Sequence, residues 1–173
     1  PSRAAKVIVD MIGRKVLPIE LRLNKNTVEA HINGYLICYR LLDGKFPNYN
    51  SVIPNNPYTL SVNRSNLLAA IKRVSVFSND NSALIEFSIK QTELEITGRD
   101  IDLRQSAVET MDIDYSGSDM QIGFKATYLV DILNTIDADE IKATFKSSSG
   151  ASVFTPFDED GSLYLLMPMQ INF

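Results

Sequence analysis

One pattern recurs three times along this chain and limits its folds more than any other feature. A helical segment opened by a basic residue is followed by short strand-like runs, and the opening residues Arg3, Arg64 and Lys125 stand 61 residues apart (64 − 3 and 125 − 64). A fixed period of this length marks a duplicated supersecondary unit. The first unit predicts a helix over residues 2–12, with Ser2 as N-cap, an apolar stripe of Ala4, Ile8, Met11 and Ile12, and Gly13 as the stop. Strands are expected over 18–23, 27–32 and 35–41, the last two joined by Asn33-Gly34, a strong hairpin turn.

The second and third units repeat this and add a leading strand. The second has a strand over 58–62, then a helix capped by Asn63 that runs from Arg64 to about Phe77 and buries Leu67, Leu68, Ile71 and Val74. Strands follow over 83–90, 93–97 and 105–112. Ile85, Phe87 and Ile89 alternate there with Glu86, Ser88 and Lys90, the period of a half-buried strand. The third has a strand over 120–124, a helix over 125–136 with Leu129, Ile132, Leu133 and Ile136 on one side, and strands over 140–146, 151–155 and 163–169.

Hairpin-joined strands with one helix per unit give an α+β architecture. One helix on three strands buries too little surface to stand alone, so two units are needed to close a domain. Residues 58–173 hold such a pair and are expected to form one complete domain. Residues 1–57 hold a single unit and are expected to be the second half of another domain, ending in a linker over 43–57 rich in Pro, Asn and Gly. The chain opens at Pro1 rather than Met, which fits a piece of a longer protein.

Composition narrows the chemistry. A content of 45% hydrophobic and 22% charged residues is that of a globular chain. No apolar run reaches the roughly 18 residues a membrane helix needs, and no charged-then-apolar leader is read, so a cytoplasmic location is expected. One cysteine, Cys38, excludes an internal disulfide, and one histidine, His31, removes most metal-centre and Ser-His-Asp chemistries. The formal net charge is −4, but it is unevenly spread: residues 1–57 hold eight bases and four acids, and the remainder holds nine bases and seventeen acids. Such a split fits a face turned to a polyanion, and equally an unselected drift of surface charge.

Several motifs carry a resemblance. Leu42-Asp43-Gly44-Lys45-Phe46-Pro47-Asn48-Tyr49 closely resembles the inter-domain stretch of bacterial sliding clamps, the β subunit of DNA polymerase III. Tyr164-Leu165-Leu166-Met167-Pro168-Met169 resembles the C-terminal signature of the same family. Tyr115-Ser116-Gly117, Ile122-Gly123-Phe124 and Tyr128-Leu129-Val130-Asp131-Ile132-Leu133 also fit, so the likeness runs the length of the chain.

The resemblance implies the DNA clamp fold: a head-to-tail homodimeric ring with helices on the DNA side and sheets outside. It implies a non-catalytic processivity factor of replication that encircles duplex DNA without reading its sequence. It implies no cofactor and no metal. Replicative and repair DNA polymerases and the clamp loader would be tethered through an apolar peptide groove.

Lys and Arg on hole-facing helices would hold phosphates by charge alone. The candidates are Arg3, Lys6, Arg14, Lys15, Arg64, Lys72, Arg73 and Lys125. Groove positions implied by the likeness are Pro47, Val52, Tyr128, Ser149, Ala151, Leu165, Met167, Pro168 and Met169, and methionines suit a surface that repacks around different ligands. Alternation sets Leu165, Met167 and Met169 on one face and Leu166 and Pro168 on the other, so Leu165 and Met167 fit a core role as well. The family usually carries Arg where this chain has Gln170. Val76, Phe77, Gln105 and Glu109 match the ring interface, with an exposed edge strand around Arg104–Glu109; Phe77 would serve equally as a core residue.

Other constellations are weaker. Asp137-Ala138-Asp139-Glu140 and Asp158-Glu159-Asp160-Gly161 lack full calcium-loop spacing and read as acidic turns. His31 is expected to face solvent or a hydrogen bond, and Cys38 to sit in the core. Two rival functions stay open on sequence: a small metal-dependent hydrolase using the acidic loops, and a generic peptide-binding module without DNA contact.

Overall fold

The computed structural model describes residues 1–13, 18–158 and 161–171, which form two compact units, Pro1–Asn48 and Tyr49–Phe173. The boundary falls inside the expected linker, so a short 3-10 turn at Tyr49–Ser51 and the stretch leading to Tyr58 belong with the second unit.

In the first unit, helix α1 (Ser2–Ile12) precedes an antiparallel meander of β1 (Ile19–Leu23), β2 (Thr27–Ile32) and β3 (Tyr35–Arg40). The sequence stripe is the packed one: Ala4, Ile8, Met11 and Ile12 are half-buried, and the rest of α1 is exposed. Ser2 is not the cap. It lies inside the helix, and the carbonyl of Pro1 accepts from the amides of Ala4 and Ala5. Gly13 ends α1 at φ 56°, where a side chain would be strained. Asn33 and Gly34 both have positive φ, 46° and 81°, which is the type I′ geometry whose twist matches a hairpin. Val28, Ala30 and Ile32 on one face of β2 are the buried residues among those described in this unit.

The second unit contains β4 (Tyr58–Asn63), α2 (Arg64–Ser75), β5 (Leu84–Ile89), β6 (Glu93–Asp100), β7 (Gln105–Asp112), β8 (Asp114–Tyr115), β9 (Met120–Lys125), α3 (Ala126–Thr135), β10 (Glu140–Phe145), β11 (Ser152–Pro156) and β12 (Tyr164–Leu166). Asn63 caps α2 as its position predicts, its side chain accepting from the Asn66 amide at 3.0 Å. Leu67, Ala70, Ile71 and Val74 are the buried side of α2, and Ala126, Leu129 and Leu133 that of α3.

The two repeats do not build separate sheets. One sheet has the order β12-β11-β10-β4-β8 and the other β7-β6-β5-β9. Thus β4, the first strand of one repeat, pairs antiparallel with β10 of the other, and β9 pairs antiparallel with β5. Each repeat lends its leading strand to its neighbour, so neither sheet is complete without both. In the core, Phe124 on β9 makes edge-to-face contacts with Phe87 on the neighbouring strand β5 (5.4 Å) and, across to the other sheet, with Phe154 on β11 (6.1 Å). Such pairs add about 1 kcal/mol each beyond the area they bury.

Two expectations change here. The short strand β8 is absent from the sequence reading, and the last strand is shorter than expected. It stops at Leu166 because Pro168 has no amide to donate to a ladder. The chain then crosses to the other sheet, where the Met169 amide donates to the Gly123 carbonyl at 2.8 Å. Only glycine fits at position 123, since a Cβ there would lie 2.8 Å from the Met169 oxygen.

Candidate functional site

The crossing of the C-terminal segment to β9 creates a concavity of about 620 Å³ lined by Gln121, Ser148, Ser149, Pro168, Met169, Gln170 and Ile171. Among the described residues no charged side chain lines it. Serines of the turn between β10 and β11 form one wall and the Pro168–Ile171 segment the other. Of the predicted groove residues, Ser149, Pro168 and Met169 are brought together here. Met167, next in the chain, is 59% exposed, and Leu165 is half-buried on β12 while Leu166 is buried. The predicted alternation therefore holds through Met167 and fails at Pro168, where the ladder ends. Ala151 is half-buried beside the same turn, and Val52 is exposed on the linker. Tyr128 stands exposed on α3, with the Lys125 ammonium 5.6 Å from its ring centre. Pro47 is exposed in the first unit.

Four lining residues lie outside the sequence prediction: Gln121, Ser148, Gln170 and Ile171. Ser148 and Gln170 are chain neighbours of predicted ones, and Ile171 follows on the same segment. Gln121 could be found only from the outward side of β9 together with the knowledge that the C-terminus crosses to that strand.

The cationic candidates separate by what they touch. Arg3 and Lys6 are exposed on α1, away from its half-buried stripe. Arg14 and Lys15 lie outside the described residues. Arg64 was expected to face DNA, but its guanidinium is bound within the fold: Nε donates to the Ala138 carbonyl at 2.6 Å and an Nη to the Leu133 carbonyl at 3.0 Å. It ties the start of α2 to the end of α3 and satisfies a carbonyl that a helix end leaves open. Arg73 forms a two-pronged ion pair with Glu109 on β7, at 2.5 and 2.6 Å. This pair joins a predicted DNA residue to a predicted interface residue. The hydrogen bond from Arg73 holds the Glu109 carboxyl below the usual carboxylate range, and Glu109 pushes the Arg73 guanidinium higher still. Lys72 is exposed and Lys125 half-buried.

Beta strand β7 is an edge of its sheet. Near it, Val76 and Phe77 at the end of α2 are 71% and 39% exposed, and Val108 on β7 is 54% exposed. Gln105 is half-buried at the start of the same strand. Cys38 is exposed on β3, not in the core as its apolar run suggested, because the outer face of β3 is uncovered. Among the described residues no three His, Cys, Asp or Glu side chains converge as a metal site would need, and no helix is long and apolar enough to cross a membrane.

Residues 50–170 match the family model for the DNA polymerase III beta subunit, C-terminal domain. The chain belongs to this family. Beta sliding clamps of Haemophilus influenzae and Escherichia coli K12 are 25% and 27% identical to it over 172 residues, 99% of this chain and 47% of each relative. The chain therefore spans about half the length of the beta sliding clamps it matches. Among solved structures, a sliding clamp of Pseudomonas aeruginosa bound to griselimycin superposes with a TM-score of 0.93 at 24% identity, covering 99% of this chain and 46% of that one. A Bartonella birtlesii sliding clamp, also bound to griselimycin, gives 0.94 at 25% identity, with the same coverage. The fold is thus that of the sliding clamp, mixed helices with antiparallel sheets. The beta subunit family is non-catalytic.

Proposed function

We propose that residues 58–173 are the complete last domain of a beta sliding clamp and residues 1–57 the second half of its middle domain, with the linker. In the whole protein this part would help form a head-to-tail homodimeric ring around duplex DNA. It would tether replicative and repair polymerases and the clamp loader. The ring edge is assigned to β7 with Val76, Phe77, Gln105 and Glu109. The tether is assigned to Val52, Tyr128, Ser149, Ala151, Leu165, Met167, Pro168 and Met169.

The observation that carries the tethering role is the exposed Met167 beside an uncharged concavity walled by Pro168 and Met169. A concavity with serine and glutamine on its walls and methionines at its edge suits an extended peptide, the polar groups meeting its backbone and the adaptable methionines its Leu or Phe anchors. The test is a calorimetric titration with a short Leu/Phe-containing peptide. Binding by the native chain and about tenfold or greater weakening by Met167→Ala are expected, the loss of one well-packed anchor contact. Heat of binding unchanged by that substitution would defeat the assignment.

A second reading, a peptide-binding module that does not touch DNA, draws support from two observations. Residues 58–173 carry nine bases against seventeen acids, and Arg64 and Arg73 are occupied within the fold. In the clamp reading the electrostatic role of this unit then rests on Lys72 and Lys125.

A further inference from the structure

We infer that Asn56 is a positioning residue that fixes the serine turn forming one wall of the concavity. The ligand side of this inference rests on the groove reading above; the mechanical side does not.

The ladder between β10 and β11 ends at the pair Thr144↔Val153. Past that rung the two strands diverge into the turn that carries Ser148 and Ser149. The amide of Asn56 spans the gap. Its Nδ2 donates to the Thr144 carbonyl and to the Ala151 carbonyl, each at 2.9 Å, so both protons are used and one side chain holds both arms of the hairpin. The opposite amide orientation would set Oδ1 against two carbonyl oxygens, so the assignment is fixed by chemistry. Oδ1 itself is buried with no protein partner among the described residues, so the two donated bonds are what the side chain contributes.

The local sequence prepares this contact. Pro57 biases Asn56 toward extended backbone, and Pro54 stiffens the approach. Inside the turn, the Gly150 amide donates to Ser147 Oγ at 3.1 Å, which closes the loop but does not anchor it to the sheet. The facing wall has its own anchor, the Met169–Gly123 bridge. Asn56 is the corresponding anchor on the serine side. It also joins that wall to the linker bearing Val52, so a peptide lying along the groove would meet surfaces already set in place, which limits the ordering cost of binding.

The experiment compares the native chain with Asn56→Asp, which keeps the shape but replaces the donor by oxygen, and with the milder Asn56→Ala. Hydrogen exchange is followed at residues 146–151 and in β5 and β6, and the same Leu/Phe-containing peptide is titrated calorimetrically. The expected result is faster exchange confined to the turn, β5 and β6 unchanged, and peptide affinity about tenfold weaker, equivalent to about one hydrogen bond. Turn exchange equal to the native chain in both variants would overturn the anchor. Loss of protection in β5 and β6 in both would make the role global and overturn it as well. Faster turn exchange with affinity within about twofold of native would overturn the link to binding. If the native chain binds no peptide, the groove reading and the ligand side of this inference fall together, while the turn exchange still decides the anchor.

Discussion

Arg64 and Arg73 both stand on α2 and both are expected from sequence to face DNA, yet the fold uses both internally. Arg64 reaches two carbonyls near the end of α3, and Arg73 is paired with Glu109. Arg64→Ala should lower unfolding stability by about 1–3 kcal/mol, because two half-buried carbonyls lose a charged donor. Lys72→Ala, on the exposed side, should stay within about 0.5 kcal/mol. Urea unfolding of the two variants checks the contrast.

The Arg73–Glu109 pair makes a signed pH prediction. The Glu109 carboxyl is held below its ordinary value by the hydrogen bond from Arg73. Its contribution is therefore fully present above the usual glutamate range and is lost as pH falls through the lower folded-state value. Glu109→Gln should lower the melting temperature by a small, constant amount near neutrality, and the difference should vanish in acid. Because the Arg73 side chain is mostly exposed, the effect should also shrink with added salt.

Element by element, close packing sets its own test. Gly98 on β6 lies under α2: a Cβ there would fall 2.4 Å from the Val74 carbonyl oxygen. Gly98→Ala should cost about 1–3 kcal/mol by forcing α2 off the sheet, read as a shift of the urea midpoint. That contact is not visible in the sequence, although the elements on both sides of it are. The helices could be read from their stripes and, for α2, from Asn63; the β2–β3 register was readable from Asn33-Gly34. Strand alternation told which runs are strands but not which strands pair, so the exchange of β4 and β9 had no local signal. Strand β8 was missed because two residues carry no period. The concavity was half legible for the same reason. Met167-Pro168-Met169 is a contiguous motif, whereas Gln121 joins it only through the crossing at Gly123. The internal bonds of Arg64 had no sequence signal because its acceptors are backbone carbonyls, and those carry no residue identity.

For the molecule as a whole, the decisive measurement is the salt dependence of duplex DNA retention in the complete ring. Each phosphate contact removed should lower the slope of log K against log salt by about 0.9. Lys72→Glu with Lys125→Glu should therefore flatten the slope by about two contacts' worth, with no change of sequence preference. An unchanged slope would favour the peptide-binding module without DNA contact.

The traded strands have a consequence for how the second unit survives damage. Ser118 and Asp119 are exposed, between β8 and β9. A protease cutting there would leave one fragment holding β4 and the other holding β10, and likewise β5 and β9. Each piece would still grip the other through two antiparallel seams, so a nicked chain should elute as a single species until denaturant is added.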